Sequence, residues 1–207
     1  MEDDETVEPP ADAVTPEPAL GAEPAPPGAA PKKQSNALRS TLEWVGVIAA
    51  ALIIALVLRA TVVQTFYIPS PSMVPTLQKD DRILVNKLSY KLHAVHRGDI
   101  VVFTTPPNVD KSYKDLVKRV VALPGETVQG KDGKVYINGQ PLAEPYLPAT
   151  TTTQDFGPEV VPPGSYWVMG DNRSQSVDSR VFHAIKKSTI VGRAFIRIWP
   201  LNRIGLL

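Results

Sequence analysis

The sequence predicts an all-β fold, an antiparallel β-sheet domain joined to one N-terminal transmembrane helix. Three observations predict it. From residue 64 onward, short β-branched and aromatic runs alternate with Gly, Pro and Asn-Gly turn signals, and helical periodicity is nearly absent. Ahead of them lies a single apolar stretch of membrane length, Trp44 to Val63. The chain has 21 prolines and no cysteine, so disulfides, thiolate metal sites and a cysteine nucleophile are all excluded.

In chain order, residues 1–40 read as a disordered, Pro/Ala-rich acidic tail. Residues 1–31 hold eight acids, no Lys or Arg and no aromatic residue, too little apolar surface to offset the entropy of ordering. Those eight acids leave 22 basic against 13 acidic side chains in the remainder, hidden behind a formal net charge of +1. The basic residues are dispersed, which favours an anionic lipid surface over nucleic acid as partner. Residues 41–63 read as the transmembrane helix. Val45 to Leu58 has no polar side chain, and about 20 residues at 1.5 Å each span a hydrocarbon core. No small-x-small site follows it, so a retained anchor fits better than a cleaved signal. Lys32, Lys33 and Arg39 precede the segment and place the N-terminus in the cytoplasm, with Arg59 snorkelling at the far end. Residues 64–207 are then an extracytoplasmic domain of a single-pass cell-membrane protein.

Within that domain Gln64–Ile68, Asp81–Val85, Ile100–Phe103 and Leu116–Leu123 read as strands. Lys131-Asp132-Gly133 and Asn138-Gly139 bracket Lys134–Ile137 as a hairpin. Tyr90–Arg97 reads as a polar connection. Tyr166–Met169, Thr189–Gly192 and Ala194–Pro200 complete the strand set.

Three stretches depart from this pattern. In Ile68-Pro69-Ser70-Pro71-Ser72-Met73-Val74-Pro75 the prolines exclude helix and central strand, and predict a rigid, irregular extended loop presenting serine hydroxyls. Lys118 lies in an apolar strand. There it is either an edge lysine that blocks aggregation or a desolvated, neutral amine able to take a proton from a serine. Gly170 to Arg180 gathers two Asp, two Arg, an Asn and three Ser after a hydrophobic strand. It is either solvated surface or a supporting shell, in which Asp171, Arg173, Asp178 and Arg180 pair to fix the loop.

Together these stretches resemble the type I signal peptidases of bacteria, membrane-anchored Ser-Lys proteases. Pro69 to Leu77 is similar to the nucleophile box, Gly98 to Phe103 to the next, Lys118 to Glu126 to the lysine box, and Gly170 to Arg180 to the last. All stand in the family's order behind the anchor. The resemblance implies the fold shared by signal peptidases and self-cleaving repressor proteases, with Ser72 as nucleophile and Lys118 as general base. Ser70 and the Ser72 N–H form the oxyanion hole, and Ser176 orients the lysine. Asp178 and Arg180 form a structural ion pair. Ile68, Met73, Leu77, Leu116 and Val117 line pockets for small residues, with Tyr67, Ile68 and Pro69 pairing to an extended substrate. The implied substrates are signal-peptide-bearing preproteins cut after small-x-small motifs at a lipid bilayer, without metal, other cofactor or nucleic acid. Ala122 and Glu126 stand where the family has glycine and aspartate, and Val181-Phe182-His183 where it has aromatics and a glycine. The short interval from Lys118 to Gly170 resembles Gram-positive and actinobacterial members.

The residues also define the rival readings. A metal site lacks a third ligand beside His93 and His96. A Ser-x-x-Lys hydrolase needs lysine where Pro75 stands. A tethered, non-enzymatic β module binding a partner through Phe66, Tyr67 and Trp167 needs neither Ser72 nor Lys118.

Overall fold

The computed structural model describes residues 36–109 and 112–207. Most of the acidic tail expected over 1–40, with Lys32 and Lys33, lies outside the described residues, as does the Arg59 side chain. The chain divides into two units, one up to Val45 and one from Gly46 to Leu207. Helix α1 (Asn36–Val62) begins earlier than the expected residue 41, because the good helix formers of Ala37 to Glu43 extend it beyond the apolar run. Its window Arg39–Val57 is long and apolar enough to cross a membrane, and none of that window is covered by protein. Apolar side chains on every side of it, from Leu42 to Val57, are more than half exposed. A helix apolar all round and bare of protein suits lipid as its solvent.

After α1 the second unit is antiparallel β-structure. Its strands are β1 (Val63–Tyr67), β2 (Arg82–Asn86), β3 (Ile100–Thr104), β4 (Asp115–Ala122), β5 (Thr127–Lys131), β6 (Lys134–Ile137), β7 (Gln140–Pro141), β8 (Phe156–Val160), β9 (Ser165–Met169), β10 (Ile185–Lys186), β11 (Ile190–Trp199) and β12 (Gly205–Leu206). Among the described residues they form one sheet in the order β1-β2-β11-β3-β4-β9-β10, with β12 against β11, and a smaller sheet β7-β6-β5-β8. Short helices α2 (Ser89–Leu92) and α3 (Ser179–Phe182) occupy connections. The Tyr90–Arg97 connection thus opens with a helical turn.

β3 explains the sheet's position. Ile100 and Val102 pack with Met73, Leu77, Ile83 and Val85 on one face. Val101 and Phe103 pack with Val120, Val168 and Phe182 on the other. Burial on both faces is why the run is apolar without alternation. A third cluster, around Trp167, Met169, Val121 and Val135, joins the two sheets, with the Phe156 and Trp167 rings stacked at 5.4 Å. In the small sheet both two-residue turns, Asp132-Gly133 and Asn138-Gly139, have positive φ throughout, the geometry a tight hairpin requires.

Two predicted strands at the end of the domain are one. Gly192 does not break β11, because the strand passes so close to β2 that a Cβ there would lie 2.4 Å from the Asn86 carbonyl oxygen.

Candidate active site

The prolines of the 68–77 stretch do exclude regular structure, but the segment is wound rather than extended. The Val74 N–H donates to Pro71 O (3.1 Å) and the Leu77 N–H to Met73 O (2.8 Å), folding residues 71–77 into consecutive turns. Outside contacts lock them. The Asn172 N–H donates to Ser72 O at 3.1 Å, Asn172 Nδ2 to Pro71 O at 3.2 Å, and Arg197 Nη1 to Thr76 O at 2.7 Å. Met73 and Leu77 sink into the core, which leaves Ser72 at the surface of the turn with 8% of its area exposed.

β4 brings the lysine to it. Its register opposes Lys118 to Val101 on β3. On its other edge β4 pairs with β9 only from Arg119 onward. Lys118 therefore sits where the sheet loses a strand, and Asp115 to Lys118 keep a free backbone edge among the described residues. The Lys118 amine is no solvated edge charge, since the residue is 3% exposed. Nζ donates to Ser72 Oγ at 2.8 Å and to Val117 O at 3.0 Å. Burial lowers its pKa from the usual 10.5 to about 8, against the opposing pull of the Asp178 and Asp171 carboxylates. Ser70 Oγ donates to Ser72 Oγ at 3.3 Å, so three polar groups converge on one point. A small cleft at this point is lined by Tyr67, Ile68, Pro69, Met73, Leu116 and Val117 among others. Leu77 stands apart from them, wholly enclosed in the core behind the turn.

Ser176 is placed differently from the expectation that it bonds the lysine. Its Oγ is buried and makes no hydrogen bond. It packs against Gly170, where a Cβ would lie 2.2 Å from Ser176 Oγ and 2.5 Å from Ser72 O. Only a residue without a side chain lets the last polar loop approach the Ser72 turn this closely.

The loop's charges are paired behind the site. Arg180 grips Asp178 through Nε and Nη2, both at 2.8 Å, and Asp178 Oδ2 accepts from the Gly170 N–H at 3.0 Å. Asp171 and Arg173 do not pair side chain to side chain. Asp171 is held by Arg119 Nε (2.9 Å) and Nη2 (2.7 Å) and by Thr76 Oγ1 (2.5 Å), tying the serine turn to β4. Arg173 is held by both Glu144 oxygens, at 3.0 and 2.5 Å, and by Thr153 Oγ1 at 2.7 Å. Sequence reasoning missed Arg119, Glu144 and Thr76. Arg119 had a signal, a second cation in an apolar strand on the face opposite Lys118. Glu144 had none, lying in a Pro-rich connection with no pattern of its own.

With this geometry in hand, comparison with known proteins is specific. The family described as signal peptidase, peptidase S26, matches residues 41–199. A signal peptidase I of Leptolyngbya laminosa is 42% identical, the match covering 89% of this chain and 91% of that protein. One from Bacillus licheniformis is 38% identical over 84% of this chain and 96% of its own. A solved signal peptidase I from Enterococcus faecalis V583 is 35% identical with a TM-score of 0.42, covering 49% of this chain and 97% of that one.

Proposed function

The chain belongs to the signal peptidase family, peptidase S26, and from that premise we propose that it is a membrane-tethered serine endopeptidase that removes signal peptides from preproteins after small-x-small motifs, with Ser72 as nucleophile and Lys118 as general base. The observation that carries the reading is the 2.8 Å contact of a buried lysine amine with Ser72 Oγ. An amine at this distance, depressed toward pH 8 by burial, takes the hydroxyl proton as Oγ attacks the scissile carbonyl. The Ser72 N–H and Ser70 Oγ receive the negative charge that develops on the carbonyl oxygen, donors of a kind that contribute about 3 kcal/mol each. Lys118, now protonated, gives its proton to the leaving amine, then accepts one from the water that hydrolyses the acyl-enzyme. Ser176, whose buried hydroxyl makes no hydrogen bond in this structure, is the residue assigned to orient the amine. Asp171, Arg173, Asp178 and Arg180 hold the loop behind it.

The substrate enters as an extended strand, against the free edge of Asp115 to Lys118 and against Tyr67 to Pro69, which pair with chain on one side only. The small cleft between them, bounded by Ile68, Met73, Leu116 and Val117, selects short side chains. α1 spans the bilayer with its N-terminus in the cytoplasm, and the strands that follow present the site on the outer side.

The test is cleavage of a purified signal-peptide-bearing precursor by the full chain in detergent, with products located by mass spectrometry. Wild type is expected to cut after a small-x-small triplet. Ser72→Ala and Lys118→Met, folded by circular dichroism, are expected to lose at least about a thousandfold in rate. Variants that cut as well as wild type would remove the dyad from the mechanism. A folded wild type that cuts no precursor would overturn the activity.

A further inference from the structure

Away from the dyad, the surface beside the end of α1 carries a concentration of unneutralised positive charge. Lys87, Lys91 and Lys187 line a cleft of about 480 Å³ whose walls include Leu88, Ile190 and Val191. The cleft's place in the chain is fixed by one bond. The Lys87 N–H donates to the carbonyl oxygen of Val62, the last residue of α1, at 2.8 Å. No side chain among the described residues pairs with the three amines. Asp99, which holds the Tyr90 of the cleft wall, is already committed, since it accepts from Tyr90 Oη at 3.1 Å and from Arg193 Nε at 3.0 Å. Three cations lining one concavity without an acidic partner repel one another, and an anion in the cleft would relieve that repulsion.

We propose that this cleft binds the headgroup of an anionic phospholipid in the leaflet where α1 ends. The three amines take the phosphate, and Leu88, Ile190 and Val191 pack against the glycerol-ester region. The mixed lining favours a lipid over a free anion, which would gain nothing from the apolar wall. The location favours it too, because the backbone bond to Val62 fixes the cleft beside the helix exit. The proposal rests on the reading that α1 spans a bilayer. It adds a lipid site remote from the Ser72–Lys118 pair that sets how the domain stands on the membrane.

The experiment uses the full chain in mild detergent, offered mixed micelles of phosphatidylglycerol or phosphatidylcholine, with bound lipid counted by native mass spectrometry. At low salt wild type is expected to retain phosphatidylglycerol preferentially. Each lysine near an anionic lipid contributes roughly fivefold, so the triple variant Lys87→Gln/Lys91→Gln/Lys187→Gln is expected to lose the preference by about a hundredfold. The corresponding triple arginine variant keeps it, which separates loss of charge from loss of fold. An undiminished preference in the glutamine variant overturns the proposal, as does displacement of the lipid by inorganic phosphate. Flotation with vesicles separates this proposal from the reading beneath it. Wild type that floats with both lipids and prefers neither overturns the cleft alone. Wild type that floats with neither overturns the anchor and the cleft together.

Discussion

At the scale of single residues, the cost and use of Lys118 are the same quantity. In the unfolded chain its amine holds a proton up to about pH 10.5, whereas in the folded chain it releases it near pH 8. The unfolded state therefore binds more protons between those values, and stability contributed by this group rises with pH across that window. Below pH 8 the buried charge costs about 3 kcal/mol. Lys118→Met removes it, so the variant is expected to melt several degrees above wild type at pH 7, with the gain shrinking as pH passes from 8 to 10.5. The rate carries the complementary signature. Only the neutral amine accepts a proton, so kcat/KM is expected to climb about tenfold per pH unit up to about pH 8 and then level. A profile flat from pH 6 to 9 would rule out an amine with this pKa as the base. Lys118 was legible in the sequence as a cation in an apolar strand, but the residues alone favoured an edge lysine, and what sets that reading aside is the burial of its amine against Ser72 rather than its place in the sheet.

At the scale of elements, the site depends on how closely separate segments approach, which local sequence does not encode. Gly170 reads as the end of a strand. Its function emerges only from the Ser176 Oγ and Ser72 O that crowd it from two directions. Gly170→Ala is expected to shift the Ser72 turn. It should lower kcat at least tenfold with a smaller change in KM, and destabilise by about 1–3 kcal/mol, read by thermal melting. A variant with wild-type kcat would show that the turn tolerates displacement. The strands with β-branched runs, β2, β3, β4 and β9, were visible from composition, as was the hairpin with Asn138-Gly139. β8 was not, because Phe156-Gly157-Pro158 reads as a breaker. It survives at the edge of the small sheet, where the missing proline N–H faces no partner, and where Phe156 covers Gly130. The helical turn α3 was hidden inside a polar loop, its start marked only by Asp178 capping the Arg180 N–H at 3.3 Å.

For the molecule as a whole, the sequence conveyed class better than arrangement. Turn spacing announced an antiparallel β domain, and the apolar run announced the helix. Nothing local announces that the penultimate strand, β11, lies in the middle of the large sheet between β2 and β3. That insertion ties residues 197–203 to the turn that carries Ser72 and Thr76. Arg197 holds Thr76 O, and Arg203 Nη1 reaches Asp81 at 2.9 Å, a residue 1% exposed. The geometry around Ser72 is thus complete only when the last residues are in place, and pairing of such sequence separation makes for slow folding.

The half-free edge of β4 also has a bearing on turnover. A groove that admits a peptide by backbone pairing releases it by the reverse process, one ladder bond after another, after the covalent chemistry is finished. On the proposed mechanism, the excised fragment occupies the site until it peels away. Rapid-quench kinetics that count the hydrolysed N-terminal fragment, with enzyme in near-stoichiometric amount, should reveal a burst close to one fragment per site followed by a slower steady rate, whereas linear accumulation from the first turnover would mean that acylation or deacylation, rather than unzipping, sets the pace.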